Sequence, residues 1–264
     1  MRHVRRILPA LLAVLLLGAV IYPQHIHAEG AAAYHFGFKK SRNGELPSIA
    51  QEGFMDLLQK HGAIFLGDTS QKDLYLTFDN GYENGYTAKV LDVLRDKQVP
   101  AAFFVTGHYV ETQPELLRRM VKEGHLIGNH SWSHPDMTQI SAERIKDELA
   151  KVQAEGIRTS GQRTMTYLRP PRGIFNDKVL GVSRELGYTS VFWSVAYKDW
   201  DTKAQRGAAY AHQQVMAQLH PGAVILLHSV SSDNAEALGS IIDDARKQGY
   251  TFRSLDHLQK RVYR

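Results

Sequence analysis

Five short motifs carry side chains that could share one piece of chemistry. They are Thr77-Phe78-Asp79-Asn80-Gly81, His130-Ser131-Trp132-Ser133-His134, Arg169-Pro170-Pro171-Arg172-Gly173, Asp199-Trp200 and Leu226-Leu227-His228. In chain order they supply a carboxylate, two histidines four residues apart, an arginine, a second carboxylate and a third histidine. A hydrolytic site built around a metal-bound water needs that inventory: a base for the water, ligands for the ion and an acid for the leaving group.

Asp79 follows the apolar run Leu74 to Phe78, so its carboxylate is expected at the end of a strand, as a general base. Asn80 beside it can offer a carbonyl oxygen to a cation. His130 and His134, four residues apart, can share a face and grip one divalent ion, zinc or another; Pro135 argues against a long helix there and leaves a single turn or a loop. The fork of Arg169, stiffened by two prolines, can pair with Asp79 and keep it ionised. Asp199 can hold His228 in its charged form, and His228, at the end of the most apolar strand, suits a general acid. Trp200 is a candidate pocket wall. Each residue alone has a plainer explanation, such as a turn aspartate or a surface arginine; the weight lies in their company. His108, His125, His212 and His220 have no partner motif and are read as structural or solvated.

Strands and helices must deliver these residues to one place. Strands are expected at Leu74–Phe78, Ala101–Val105, Leu126–Asn129, Thr166–Leu168, Ser190–Val195, Ala223–Leu227 and Thr251–Leu255. Helical periodicity falls between them, at Tyr86–Lys97, Pro114–Glu123, Ala142–Glu155 ended by Gly156, Asp177–Leu186, Ala208–Leu219 and Ala235–Gln248. Residues before Asp73 are expected to be irregular. Alternation of this kind points to a parallel sheet. Because the polar motifs follow most of the strands, the expected α/β fold is a closed or nearly closed (β/α) barrel of about seven parallel strands rather than an open doubly wound sheet.

The remaining features bound the class. Residues 1–28 run from arginines through an apolar stretch to Ala28, the pattern of a secretory signal peptide, or of a membrane anchor if it is not cleaved. Removing them takes away Arg2, Arg5 and Arg6 and lowers the formal charge from +5 to about +2. No long basic run remains, so nucleic acid is not an expected partner. The chain has no cysteine, which excludes thiol nucleophiles and cysteine zinc sites. About 236 residues remain, enough for one sizeable α/β core.

With these motifs in place, the chain resembles the polysaccharide deacetylases of the NodB homology group, carbohydrate esterase family 4, over about Leu74 to Leu255. The resemblance implies a distorted (β/α) barrel, NodB-like, and metal-dependent removal of N-acetyl groups from a glycan. It makes Asp79 the base, His130 and His134 metal ligands, Arg169 the group orienting Asp79, Asp199 the group tuning His228, and His228 the acid. A backbone N–H near Tyr82 would stabilise the oxyanion, and Tyr82, Trp200 and Leu226 would contact substrate. The division implied is residues 1–28 as signal, 29–72 as an extension packed on the barrel and 73–264 as the deacetylase domain. A narrower similarity, carried by Tyr75 to Thr87, Leu168 to Gly173, Val191 to Ala196, Asp233 to Leu238, Phe36 to Lys39 and Phe65 to Thr69, is to the delta-lactam-biosynthetic de-N-acetylases of spore-forming bacilli. It implies an exported enzyme of the cell wall or forespore intermembrane space. Its substrate would be N-acetylmuramic acid in peptide-free peptidoglycan strands, on the way to muramic δ-lactam of spore cortex, with no stable protein partner implied.

Two positions depart from the wider family. Asn80 stands where a second aspartate is usual, and an amide is a poorer ligand than a carboxylate. Arg172 stands where an aromatic residue is usual, and is expected to read the lactyl carboxylate that muramic acid has and glucosamine lacks. The alternatives are a general peptidoglycan or chitin deacetylase acting on glucosamine, and a catalytically silent glycan-binding domain.

Overall fold

The computed structural model describes residues 32–42 and 45–262. The expected signal segment, residues 1–28, lies outside the described residues. No helix among the described residues is long and apolar enough to cross a membrane.

The described chain begins with β1 (Tyr34–His35) and α1 (Met55–His61), followed by β2 (Asp73–Asn80), α2 (Thr87–Asp96) and β3 (Ala101–Val105). Next come α3 (Gly107–Thr112), α4 (Pro114–Lys122), β4 (Leu126–Asn129), α5 (Ala142–Ser160), β5 (Tyr167–Leu168) and β6 (Ile174–Phe175). The chain continues through α6 (Asp177–Glu185), β7 (Thr189–Ser190), α7 (Ala208–Met216), β8 (Ala223–His228), α8 (Ser232–Lys247), β9 (Thr251–Phe252) and α9 (Leu255–Val262). Seven strands form one sheet in the order β7-β5-β4-β3-β2-β8, with β9 paired to the foot of β2, and every pairing in it is parallel.

One segment closes the sheet on itself. β7 pairs with β5, and Val191 N–H donates to Leu168 O; four residues later Val195 pairs with Ile225 of β8. The stretch expected as a strand from Ser190 to Val195 is therefore regular only at its start, because it leaves one edge of the sheet to reach the other. That crossing makes the barrel distorted.

Period-two alternation divides the strand residues between two cores. Tyr75, Ala102, Phe104, Tyr167, Val191 and Val224 pack inside the barrel, with Leu255 and Leu258 of α9. Leu74, Leu76, Phe78, Phe103, Ile127 and Leu168 pack outward against the helices. Continuing the inward series places Thr77 and Asp79 after Tyr75, Arg169 after Tyr167, and Leu226 and His228 after Val224. The polar residues thus sit inside, above the apolar plug.

Two expectations need correction. Gly156 does not end α5; the helix runs to Ser160 and stops at Gly161, which is left-handed at φ 79°. Gly156 lies inside the helix against Met165, where a Cβ would come within 2.9 Å of the methionine Cε. The segment before Asp73 is not wholly irregular. β1 pairs antiparallel with β6, and Ile64 bridges to Val191. Phe36 stacks on Phe192 with ring centroids 4.4 Å apart and meets Trp193 edge-on at 5.1 Å.

Those contacts make the early segment part of one cooperative unit. Phe36→Ala should cost about 3–5 kcal/mol, measured as a lower midpoint in denaturant unfolding with a single transition. A loss under about 1 kcal/mol would mean that the segment folds apart from the barrel.

Candidate active site

Arg169 is wholly buried. Its Nη1 donates to Asp79 Oδ1 at 2.7 Å and its Nη2 to Thr77 Oγ1 at 2.9 Å. Nε donates to Val191 O at 3.0 Å, and Nη2 also reaches Phe192 O at 3.3 Å. The guanidinium lies 4.3 Å from the centre of the Phe104 ring. Burial alone would raise the Asp79 carboxyl, but Arg169, His130 and His228 outweigh it and hold it below the usual carboxylate range. The charge of Asp79 is therefore kept in a site that would otherwise neutralise it.

The two histidines of the second motif lie in a strained loop rather than on a helix. Ser131 and His134 are both left-handed, at φ 63° and 55°. Side chains hold the loop there: Asn129 Oδ1 accepts from Ser131 N, Ser131 Oγ accepts from His134 N, and Glu148 accepts from Ser133 N and Oγ. His130 Nδ1 lies 2.7 Å from Arg169 O, and a carbonyl can only accept, so the proton is on Nδ1. The Nε2 lone pair then faces inward, 3.6 Å from Asp79 Oδ2. Burial lowers the pKa of His130 despite the pull of Asp79. Burial and the neighbouring His130 bring His134 down to about 4. Both imidazoles are neutral at neutral pH, as metal ligands must be.

His228 is set the opposite way. Burial alone would lower its pKa, but Asp199 outweighs burial and raises it. Asp199 Oδ1 lies 2.8 Å from His228 Nδ1, and Oδ2 accepts from His228 N at 2.7 Å and from Asn234 Nδ2 at 2.6 Å. Asn234 is in turn fixed by the Tyr197 hydroxyl, which donates to its Oδ1 at 2.5 Å.

These groups meet at one cavity of about 850 Å³. Asp79, His130, His134, Arg172, Leu226 and His228 line it, with Tyr82 and Trp200 exposed at its mouth. Arg169 and Asp199 stand behind the wall, each holding a residue that lines it. Asn80 is not on the wall; it is wholly buried, with Nδ2 donating to Ser229 Oγ at 2.7 Å and Oδ1 lacking any partner. Two neutral imidazoles beside a carboxylate, with an orphaned carbonyl oxygen on the residue next to that carboxylate, fit a divalent cation. Among the described residues, no three His, Asp or Glu side chains form a metal cluster on their own, so an ion would draw on the amide as well.

Some of the site was not foreseen. His108, read as structural or solvated because it has no partner motif, lines the cavity with Thr106, just past the end of β3 as the other motifs follow their strands. Trp193 lines it too; its stretch, Val191 to Ala196, carries the narrower similarity, but the residue itself was not singled out for the site. Its ring packs over Gly173, which is left-handed at φ 65° and where a Cβ would lie 2.7 Å from the indole. Asn234, the partner of Asp199, lies in the stretch Asp233 to Leu238 that carries the narrower similarity, but was not singled out for the site.

A polysaccharide deacetylase profile matches residues 66–191. The peptidoglycan-N-acetylmuramic acid deacetylase PdaA of Bacillus subtilis is 50% identical over 246 residues, covering 93% of this chain and 92% of the relative. The chain therefore belongs to the polysaccharide deacetylase family, hydrolases of the N-acetyl amide bond. An uncharacterised 30.6 kDa protein of Geobacillus stearothermophilus is 55% identical over 224 residues, covering 85% of this chain and 84% of that one. The solved structure of B. subtilis PdaA, described as a family 4 carbohydrate esterase, superimposes with a TM-score of 0.84 at 51% identity, covering 87% of this chain and 98% of that one. The expected parallel-stranded NodB-like barrel is thus the fold of this protein.

Two outcomes follow from the charges. Arg169→Met leaves Asp79 buried and unpaired and should cost about 3–5 kcal/mol near neutral pH. Adding Asp79→Asn should recover part of the loss, and equal losses in the single and double variants would show that the pairing is not the cause. Because His228 has a raised pKa, its contribution to stability is complete below the unfolded-state value of about 6.5 and is lost as pH rises through the folded value. Asp199→Asn should move the His228 titration, followed by NMR, to lower pH.

Proposed function

We propose that this protein removes the N-acetyl group from N-acetylmuramic acid residues of peptide-free peptidoglycan. The observation that carries the chemistry is the pair of opposed settings across one cavity: Asp79 held ionised by Arg169, and His228 held protonatable by Asp199. Two titratable groups whose surroundings push their pKa values apart are a base and an acid. The substrate is supported by the 50% identity to PdaA and by Arg172, an exposed cation on the cavity wall, which we assign to the lactyl carboxylate.

In this reading the acetamide carbonyl enters the cavity beside His130 and His134. A divalent ion held by those imidazoles and the Asn80 carbonyl oxygen would supply Lewis-acid polarisation of the carbonyl and acidify the attacking water. Asp79 takes the proton of the water, and Arg169 keeps the carboxylate aimed and unprotonated until then. The backbone N–H near Tyr82 donates to the oxygen of the tetrahedral intermediate. His228, protonated and turned by Asp199, delivers its proton to the sugar nitrogen as the C–N bond breaks, and acetate leaves. Tyr82, Trp200 and Leu226 hold the sugar. The product amine beside the lactyl group is the chemical precursor of muramic δ-lactam. The activity belongs outside the cytoplasm, where such strands lie.

Mass spectrometry of peptide-free glycan strands incubated with the protein, with and without added divalent metal, tests the reading. Loss of acetyl from muramic residues is expected; loss from glucosamine residues instead would replace the substrate assignment. Asp79→Asn should abolish turnover with the fold intact. Arg172→Ala should reduce turnover of muramyl strands far more than that of chitin oligomers, and equal losses on both would remove Arg172 from substrate recognition.

A further inference from the structure

Asn80 has a difficulty that a carboxylate would not have. An aspartate presents an oxygen whichever way it turns, whereas an amide presents an oxygen one way and an N–H₂ the other, and only the oxygen can bind a cation. Something must fix the direction.

The neighbouring hydrogen bonds do so. Glu83 accepts on Oε1 from Gly85 N at 2.7 Å and from Thr87 N at 3.2 Å. On Oε2 it accepts from Thr87 Oγ1 at 2.5 Å and from Tyr109 OH at 3.1 Å. A carboxylate only accepts, so the single hydroxyl proton of Thr87 is committed to Glu83. The Thr87 and Ser229 hydroxyls are 2.9 Å apart, and with that proton spent the bond between them must run from Ser229 to Thr87. Ser229 Oγ then has only lone pairs for Asn80, 2.7 Å away, and takes Nδ2–H. The reversed amide would leave two hydroxyl oxygens facing each other with no proton between them. Asn80, Thr87, Ser229 and Tyr109 are all fully buried, so water cannot repair such a mismatch. The orientation that survives is the one with Oδ1 free of any partner.

We propose that Glu83, acting through Thr87 and Ser229, is a positioning residue that turns the Asn80 carbonyl oxygen toward the divalent ion. This rests on the metal-assisted reading above and adds to it the device that lets an amide serve where a carboxylate would need none.

The arrangement predicts an effect that changes with the residue at position 80. In Glu83→Gln the backbone N–H groups of Gly85 and Thr87 still claim the oxygen of the side chain, so its amide nitrogen faces Thr87. Every bond in the relay then reverses: Gln to Thr87, Thr87 to Ser229, Ser229 to the oxygen of Asn80. The N–H₂ now points where Oδ1 was. In an Asn80→Asp background the same reversal only supplies the carboxylate with a donor. Zn²⁺ binding by the full chain, measured by isothermal titration calorimetry, should therefore weaken about tenfold or more on Glu83→Gln, with thermal melting showing the fold intact. In the Asn80→Asp background, Glu83→Gln should leave Zn²⁺ affinity unchanged or tighter. Ser229→Ala, which cuts the relay at its last link, should weaken binding with Asn80 and spare the Asn80→Asp background, and it serves if Glu83→Gln does not fold. Equal weakening in both backgrounds, or none in either, overturns the proposal. So does a wild-type chain that binds no Zn²⁺. In that last case acetyl release from muramyl strands decides separately whether the deacetylase reading stands.

Discussion

A full positive charge sits at the centre of this barrel with no access to water. Removing a guanidinium from water costs several kcal/mol even after relaxation, so Arg169 is tolerable only if its donors are met. They are met by Asp79, Thr77 and the carbonyls of Val191 and Phe192, from two stretches of chain separate from its own. Val191 and Phe192 belong to the segment that crosses from β5 to β8, so the arginine also ties down the piece of backbone that closes the sheet. The ionisation of Asp79, the closure of the barrel and the direction of the His130 imidazole, bonded to the Arg169 carbonyl, all depend on this one residue.

Around that charge the site separates groups that would otherwise titrate together. Of the histidines lining the cavity, His130 and His134 are lowered and His228 is raised. The difference is a matter of partners. His130 and His134 are buried against Arg169 and each other, with no carboxylate in direct hydrogen bond. His228 has Asp199 on its Nδ1, and Asp199 is locked by Asn234 and Tyr197. Burial acts alike on all three; a single well-placed carboxylate reverses its outcome for one.

The loops that complete the site are held by buried polar groups rather than by regular secondary structure. The histidine loop contains two left-handed non-glycine residues, which cost energy unless their surroundings impose the conformation. Asn129 and Glu148 impose it from the strand before and the helix behind. The loop carrying Tyr82 is fastened similarly, by Glu83 across the start of α2. Rigid strands bring the chemistry to one end of the barrel, and these clamps set the last ångströms.

Much of this was legible in the chain. Apolar runs of five or six residues mark the strands, and a polar residue just past such a run must lie at the strand's end; that locality exposed Asp79, Arg169 and His228. Which face of the strand each residue takes became clear only with the two cores, which put Asp79 on the same face as Tyr75 and opposite to Phe78. What sequence could not supply was any quantity set by partners distant along the chain. Gly156 looked like a helix terminator because its contact, Met165, is in another segment. His108 and Trp193 looked unremarkable because a cavity wall exists only once the strands are curled together. The direction of the Asn80 amide depends on Ser229, 149 residues away. Sequence by itself determined which residues could do chemistry and at which strand ends they lie, because those follow from local periodicity. Tertiary structure alone decided their charge states and orientations, because burial and hydrogen-bond direction belong to neighbours that only folding brings into contact.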